Sequence, residues 1–243
     1  MKILITGVEG QIGNSLRQAM LEKGHEVFGI DLKVAEGHEN PGEGKERIFT
    51  CDLSDSNQVS GVLGRIHQEN GPFDLVLNTA AYIYNSPVLS MHNGKFQVHS
   101  FGEWDKVLGA TLSSTFYVSA ICAQAMIARS KKGCIINFSS ICASGNIGQS
   151  AYSAAKAGIN ALTLTMAKEL SPLGIRVVAI APGYFDTVST HAAMDQHRLE
   201  EIRKRIPLKR LGKIDAIIHA VNFIWENEYV NGKVLEIDGG LTL

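Results

Sequence analysis

The chain has 243 residues, 45% of them apolar and 19% charged, with a formal net charge of -1. That balance describes a well-cored globular protein and excludes a disordered chain; it also offers no basic field to attract nucleic acid or anionic lipid. Cys51, Cys122, Cys134 and Cys142 are scattered and form no Cys-x-x-Cys pair, and the histidines show no ligand spacing. Neither a disulfide frame nor a metal site is expected, and the thiols suit a reducing, cytoplasmic setting. No apolar run reaches the length of a bilayer span. Lys2 to Ile5 leads straight into a glycine turn, which is not the make-up of a signal peptide.

Lys2 to Thr6 is a short apolar run and reads as a buried strand. The turn after it holds Gly7, Glu9, Gly10, Gln11, Ile12 and Gly13, and opens a helix with Leu16, Ala19 and Met20 on one face. Strand, glycine turn and helix in this order let backbone N–H groups at a helix start receive a pyrophosphate. The second strand, Glu26 to Asp31, ends on a carboxylate placed to accept hydrogen bonds from a ribose 2′-hydroxyl and to repel a 2′-phosphate. NAD is therefore expected over NADP, with Lys33 close enough to soften the preference. Residues 32–46 are polar and rich in glycine and read as a loop.

Arg47 to Thr50 is a strand leading to Asp52 and Leu53, and Val59, Leu63 and Ile66 mark a helix ended by Gly71-Pro72. Phe73 to Leu77 is the next strand, followed by Asn78-Thr79-Ala80-Ala81, whose small side chains admit a flat ring. Residues 82–103 are irregular. Trp104 to Ala128 reads as a long helix and Cys134 to Phe138 as a strand. Tyr152 to Leu170 is a helix, Arg176 to Ile180 a strand, and residues 188–205 a polar helical segment. Ile214 to Trp225 and Lys233 to Ile237 give the last helix and strand. The alternation predicts an α/β fold: one Rossmann-like, doubly wound domain over residues 1–243 with a parallel sheet.

Tyr152 and Lys156 stand four apart, so both point to one face of their helix. An ammonium beside a phenol favours the phenolate and lowers its pKa. A serine at the end of the strand before it, Ser139 or Ser140, could hold a carbonyl oxygen while the tyrosine moves a proton. Strand register favours Ser140, whereas counting back from Tyr152 selects Ser139.

These marks, with Pro182-Gly183 and Asp238-Gly239-Gly240, occur in the order of the short-chain dehydrogenase/reductase family, which the whole chain resembles. The glycine spacing is that of the longer, sugar-nucleotide-modifying branch. The short stretch after Lys156 and the Asp238-Gly239-Gly240 ending are those of the short branch, which is preferred. The resemblance implies a seven-stranded sheet, a nicotinamide cofactor and hydride transfer to or from a secondary alcohol or ketone, such as a sugar derivative. By the resemblance Ser140, Tyr152 and Lys156 are catalytic, and Tyr152 and Lys156 also meet the cofactor. It further implies that Asp52 and Leu53 meet the adenine, Asn78 and Ala80 the inner ribose, Thr187 the carboxamide or the pyrophosphate, and that Pro182 and Gly183 also bind the cofactor. A homodimer or homotetramer is implied through the two long helices. Where the family commonly carries an asparagine in the first of these, this chain has Thr111, and a more regular helix is expected. Two rival readings are reduction of a 3-oxoacyl group on a carrier protein, and a catalytically silent dinucleotide-binding subunit. Residues 82–103 and 184–206 are expected to line the substrate pocket.

Overall fold

The computed structural model describes residues 1–34 and 44–242, so most of the loop expected at residues 32–46 lies outside them. In chain order the elements begin β1 (Lys2–Thr6), α1 (Gln11–Glu22), β2 (Glu26–Asp31), β3 (Glu46–Thr50), α2 (Ser56–Asn70) and β4 (Leu75–Asn78). A hairpin, β5 (Leu89–His92) and β6 (Lys95–Val98), precedes α3 (Phe101–Leu108) and α4 (Ser114–Ala128). The chain continues through β7 (Gly133–Phe138), α5 (Ser150–Leu170), β8 (Ile175–Pro182), α6 (Val188–Ala193), α7 (Gln196–Arg205), α8 (Asp215–Glu226) and β9 (Val234–Ile237).

Seven strands form one parallel sheet in the order β3-β2-β1-β4-β7-β8-β9. The strands are apolar throughout because both faces are covered. Leu4, Phe28, Val76 and Ile135 point to one face, where Val59, Leu63, Val118 and Met166 meet them. Ile3, Ile5, Val27, Leu77 and Ile136 point to the other, against Leu16, Met20, Ile217 and Val221. The chain reverses its direction of winding between β1 and β4, and Thr6 sits level with Ile30 and Asn78 there. A crevice at such a reversal, outside the carboxyl ends of the strands, is where this class of sheet binds ligands.

Two expectations need correction. The irregular stretch before Glu103 contains the hairpin β5–β6, turned by Asn93 and Gly94 with φ of 49° and 76°. Asn-Gly between two alternating apolar/polar runs, Leu89 to His92 and Lys95 to Val98, is the sequence signal for that turn; each run is only four residues long, which is why the stretch reads as irregular. The helix at Thr111 is not regular: a π-helical turn spans Gly109–Ser113. Thr111 is fully buried, and its Oγ1 accepts a hydrogen bond from the Tyr82 N–H at 3.1 Å. The hydroxyls that bond back to their own helix belong to Ser114 and Thr115, which donate to the Ala110 and Thr111 carbonyls at 2.7 and 2.8 Å. They satisfy carbonyls released by the widened turn.

Within the 28-residue helical stretch Phe101–Ala128, an 18-residue window with a mean hydropathy of 1.3 meets the length and composition of a membrane span, contrary to the sequence expectation. Its Val118, Cys122 and Met126 are packed into the core beneath the sheet, which is the ordinary cause of such composition in a core helix.

Candidate active site

The glycine turn is built by steric necessity. Gly7 adopts φ of +64°, and a Cβ there would lie 2.8 Å from the Ala80 Cα. A Cβ on Gly13 would fall 2.1 Å from the Gly7 carbonyl oxygen. Helix α1 begins at Gly10 with no side-chain cap, so the N–H groups of its first turn have no side-chain acceptor. A bare, uncapped helix start beside a cradle that side chains would fill fits a pyrophosphate. Asp31 lines the same cleft; its Oδ2 accepts from the Glu9 N–H at 2.9 Å and its Oδ1 from the Leu32 N–H at 2.8 Å. Its carboxylate thus braces the turn as well as facing the cleft. Asp52 and Leu53 border this end of the cleft with Ala80. Asp52 Oδ1 accepts from the Ser54 N–H and hydroxyl at 2.9 and 2.7 Å.

Asn78 does not take the expected place. Its side chain is buried, and its Nδ2 donates to Ser119 Oγ and Asn137 Oδ1, both at 2.9 Å. The strand register turns it into the protein, in line with Asn137 and the Thr163 hydroxyl. Only its backbone is near the crevice. Thr79, the next residue, faces the cleft in its stead and anchors its hydroxyl on the Thr6 carbonyl at 2.5 Å.

A second compartment continues from the glycine turn past Gln11, Ile12, Pro182, Gly183 and Thr187 to Ser140, Tyr152 and Lys156. Gly183 is tied to the Asp238-Gly239-Gly240 ending: a Cβ on it would lie 2.7 Å from the Asp238 Cα. Thr187 caps α6, its Oγ1 accepting from the Thr190 N–H at 3.1 Å.

The two serines point in opposite directions. Ser139 is buried and its hydroxyl donates to the Lys156 carbonyl at 3.2 Å, which joins β7 to α5. Ser140, in extended conformation, accepts from the Cys142 N–H at 3.1 Å and borders the cleft together with Tyr152. Successive side chains of an extended segment face opposite sides, and both serines border the second compartment.

The Lys156 ammonium lies 5.4 Å from the centre of the Tyr152 ring and donates to the Phe138 carbonyl. The electrostatics depart from expectation. Burial, with Cys142 adding to it, pushes the Tyr152 phenol above its usual value, and Ser140 opposes this. Burial likewise lowers Lys156 to about 7. Both groups have left water, so neither ionises as readily as a surface pair would. A phenol with a serine on one side and a lysine on the other can pass a proton to or from an oxygen at Ser140.

The sheet reversal, the uncapped glycine turn and this trio define an NAD(P)-dependent oxidoreductase with a Rossmann-like fold. Residues 7–242 match the family model described as enoyl-(acyl carrier protein) reductase. The chain is 32% identical to a 3-oxoacyl-(acyl-carrier-protein) reductase of Thermotoga maritima, over 99% of this chain and 97% of that one. A short-chain dehydrogenase of Leptospira borgpetersenii with bound NAD+ superposes with a TM-score of 0.87 at 25% identity, covering 100% of this chain and 92% of that one. A 4-hydroxyisoleucine dehydrogenase complexed with NADH gives 0.85 at 25% identity, covering 99% and 98%. The chain belongs to the short-chain dehydrogenase/reductase family, whose cofactor is NAD(P). Among the described residues no cluster could hold a metal ion.

A third compartment opens beyond Ser140 and Tyr152, lined by Asn85, Asn146, Gln149, Tyr184 and Arg198 among others. Sequence reasoning placed it within residues 82–103 and 184–206 but named none of these side chains, and Asn146 and Gln149 come from outside both segments. Nothing in the sequence brings Asn85 and Gln149 together. In the fold the Gln149 Nε2 donates to the Asn85 Oδ1 at 2.9 Å.

Proposed function

We propose that the chain interconverts a secondary alcohol and its ketone at the junction of the second and third compartments, with NAD as hydride carrier. The observation that carries the reading is that Ser140 and Tyr152 both line the two compartments where these meet, with Lys156 beside the Tyr152 ring. Ser140 holds the substrate oxygen and Tyr152 takes or gives its proton. Lys156, directed at the Tyr152 ring, sits where it supports the phenolate and meets the cofactor. Gly7, Glu9, Gly10, Gln11, Ile12 and Gly13 bind the pyrophosphate, and Asp31, Asp52, Leu53 and Ala80 the adenosine. Pro182, Gly183 and Thr187 border the nicotinamide. That ring, when bound, supplies or accepts the hydride of the carbinol carbon. Tyr152→Phe keeps the ring and removes the acid, so turnover should fall by roughly 10²- to 10⁴-fold while NADH fluorescence titration shows unchanged binding. Wild-type turnover by this variant on any accepted alcohol would overturn the assignment.

A 3-oxoacyl thioester is the second reading, favoured by the family model and the Thermotoga maritima relative. It uses the same proton donor. Acetoacetyl-CoA with NADH, set against simple secondary alcohols with NAD+, separates the two.

The whole chain acts as one domain in this reading, in the cytoplasm, where its four free, buried cysteines stay reduced. It also assembles with copies of itself through α4 and α5, whose Phe116 and Leu164 are exposed apolar side chains. Light scattering at the mass of one chain would exclude that assembly.

A further inference from the structure

The third compartment is polar, yet it is nearly free of charge. Its lining comprises amides, hydroxyls and apolar groups with one formally charged side chain, Arg198. No carboxylate stands in that lining. The amides already bond to one another: Asn146 Nδ2 donates to Gln149 Oε1 at 2.9 Å, and Gln149 Nε2 donates to Asn85 Oδ1 at 2.9 Å. Asn146 also shares a side-chain hydrogen bond with Tyr184.

Among the described residues Arg198, like Lys204 and Arg205 on the same helix, has no carboxylate partner, whereas other neighbours do. Arg203 pairs with Glu200 at 2.7 Å, and His191 bonds Asp186 at 2.6 Å. Among the described residues no carboxylate pairs with the Arg198 guanidinium. Asp195 is close in sequence, but it caps the start of α7 by accepting from the Arg198 backbone N–H at 2.8 Å. Arg198 and Arg205 both oppose the rise that burial imposes on the Tyr184 phenol.

Arg198 is exposed, but the helix that carries it is anchored. The next residue, Leu199, and Ile202 are buried in the cluster that contains Tyr152, Ala155 and Cys142. Helix α7 is therefore moored to the packing that positions the reactive phenol, and Arg198 is presented into the compartment from that mooring. A guanidinium carries five N–H donors in a planar fork that matches a carboxylate.

Resting on the reading of Ser140 and Tyr152 given above, we propose that Arg198 binds a carboxylate on the substrate, so that the enzyme oxidises secondary hydroxy acids and reduces the matching keto acids. With Arg198 as the one charged side chain in the lining, the compartment fits a single negative charge better than a dianionic phosphate. The α7 start adds no anion site, because Asp195 already occupies it.

The test uses matched pairs: 3-hydroxybutyrate, 4-hydroxyvalerate and 4-hydroxyisoleucine, each against its methyl ester, with NAD+ and full-length enzyme. Acids should exceed their esters in kcat/KM by roughly tenfold to hundredfold, the range for a hydrogen bond to a charged group. In Arg198→Met that preference should collapse, chiefly through KM, and Arg198→Lys should restore part of it. As a readout independent of turnover, the acids should raise the Tm of the NADH-saturated wild type and not that of Arg198→Met. Esters preferred over acids, an unchanged preference in Arg198→Met, or no acid turned over and none raising the Tm, would each overturn the proposal. Turnover of neutral alcohols that depends on Tyr152 would still uphold the parent reading in those cases. Loss of nothing but the acid preference in a folded Arg198→Met, judged by its Tm without ligand, supports both.

Discussion

The two ends of the active-site groove are made in different ways. At the cofactor end the working groups are main chain: the Gly7–Gly13 turn presents N–H donors because side chains there would collide with Ala80 or with the turn itself. At the substrate end they are side chains, Asn85, Asn146, Gln149, Tyr184 and Arg198, carried on loops and on the helix α7. A backbone cradle leaves little choice of sequence and suits one ligand. A surface of side chains can be changed residue by residue without moving the sheet. This chain keeps a general cofactor site and a substrate site of its own.

Ser140 sits between the two ends, and its replacement should have the largest effect. Ser140→Ala removes the donor that borders both compartments, and kcat should fall by about 10²- to 10³-fold. Ser139→Ala instead removes a buried bond to the Lys156 carbonyl. Its cost should be stability, about 0.5–1.5 kcal/mol by denaturant unfolding, with kcat little altered. The reverse order in a steady-state assay would mean that Ser139, not Ser140, reaches the substrate.

Gly13→Ala attacks the cofactor end. Its Cβ would meet the Gly7 carbonyl at 2.1 Å, a backbone atom that cannot rotate away. Overpacking of this kind costs about 1–3 kcal/mol, and NADH affinity should fall along with Tm. Calorimetry showing an unchanged Tm and unchanged NADH binding would show that the turn is adaptable after all, and the contrast between the two ends would fail.

Asp31→Ala should have the smallest effect. The carboxylate is partly exposed and already engaged with the Glu9 and Leu32 N–H groups. The preference for NADH over NADPH should narrow by roughly two- to fivefold, as screened surface charges allow. An NADPH affinity equal to that of NADH in the wild type would instead place the choice with another group such as Lys33.

Much of the cofactor end was legible because its signals are local. The strand Lys2–Thr6, the glycine spacing and the carboxylate that ends the second strand lie close in sequence and carry steric meaning by themselves. The parallel sheet followed from apolar runs separated by helices, since only strands covered on both faces are apolar throughout. The pairing of Tyr152 with Lys156 followed from helical periodicity.

What the sequence by itself determined was therefore the order of the elements, the sheet that they build and the identity of the tyrosine and lysine. Tertiary structure set the partners of the two serines that border the cleft: Ser139 donates to the Lys156 carbonyl, and Ser140 accepts from the Cys142 N–H. It also turned Asn78 inward, since registration with β7 sets it beside Asn137. It placed a π-helical turn at Thr111, where that hydroxyl meets the Tyr82 main chain. Burial, which no local pattern reports, raised the Tyr152 phenol where the neighbouring lysine alone would have lowered it. The substrate compartment was the least legible for the same reason. Asn85, Gln149 and Arg198 are far apart in sequence and become one surface only when the loops fold over the carboxyl edge of the sheet.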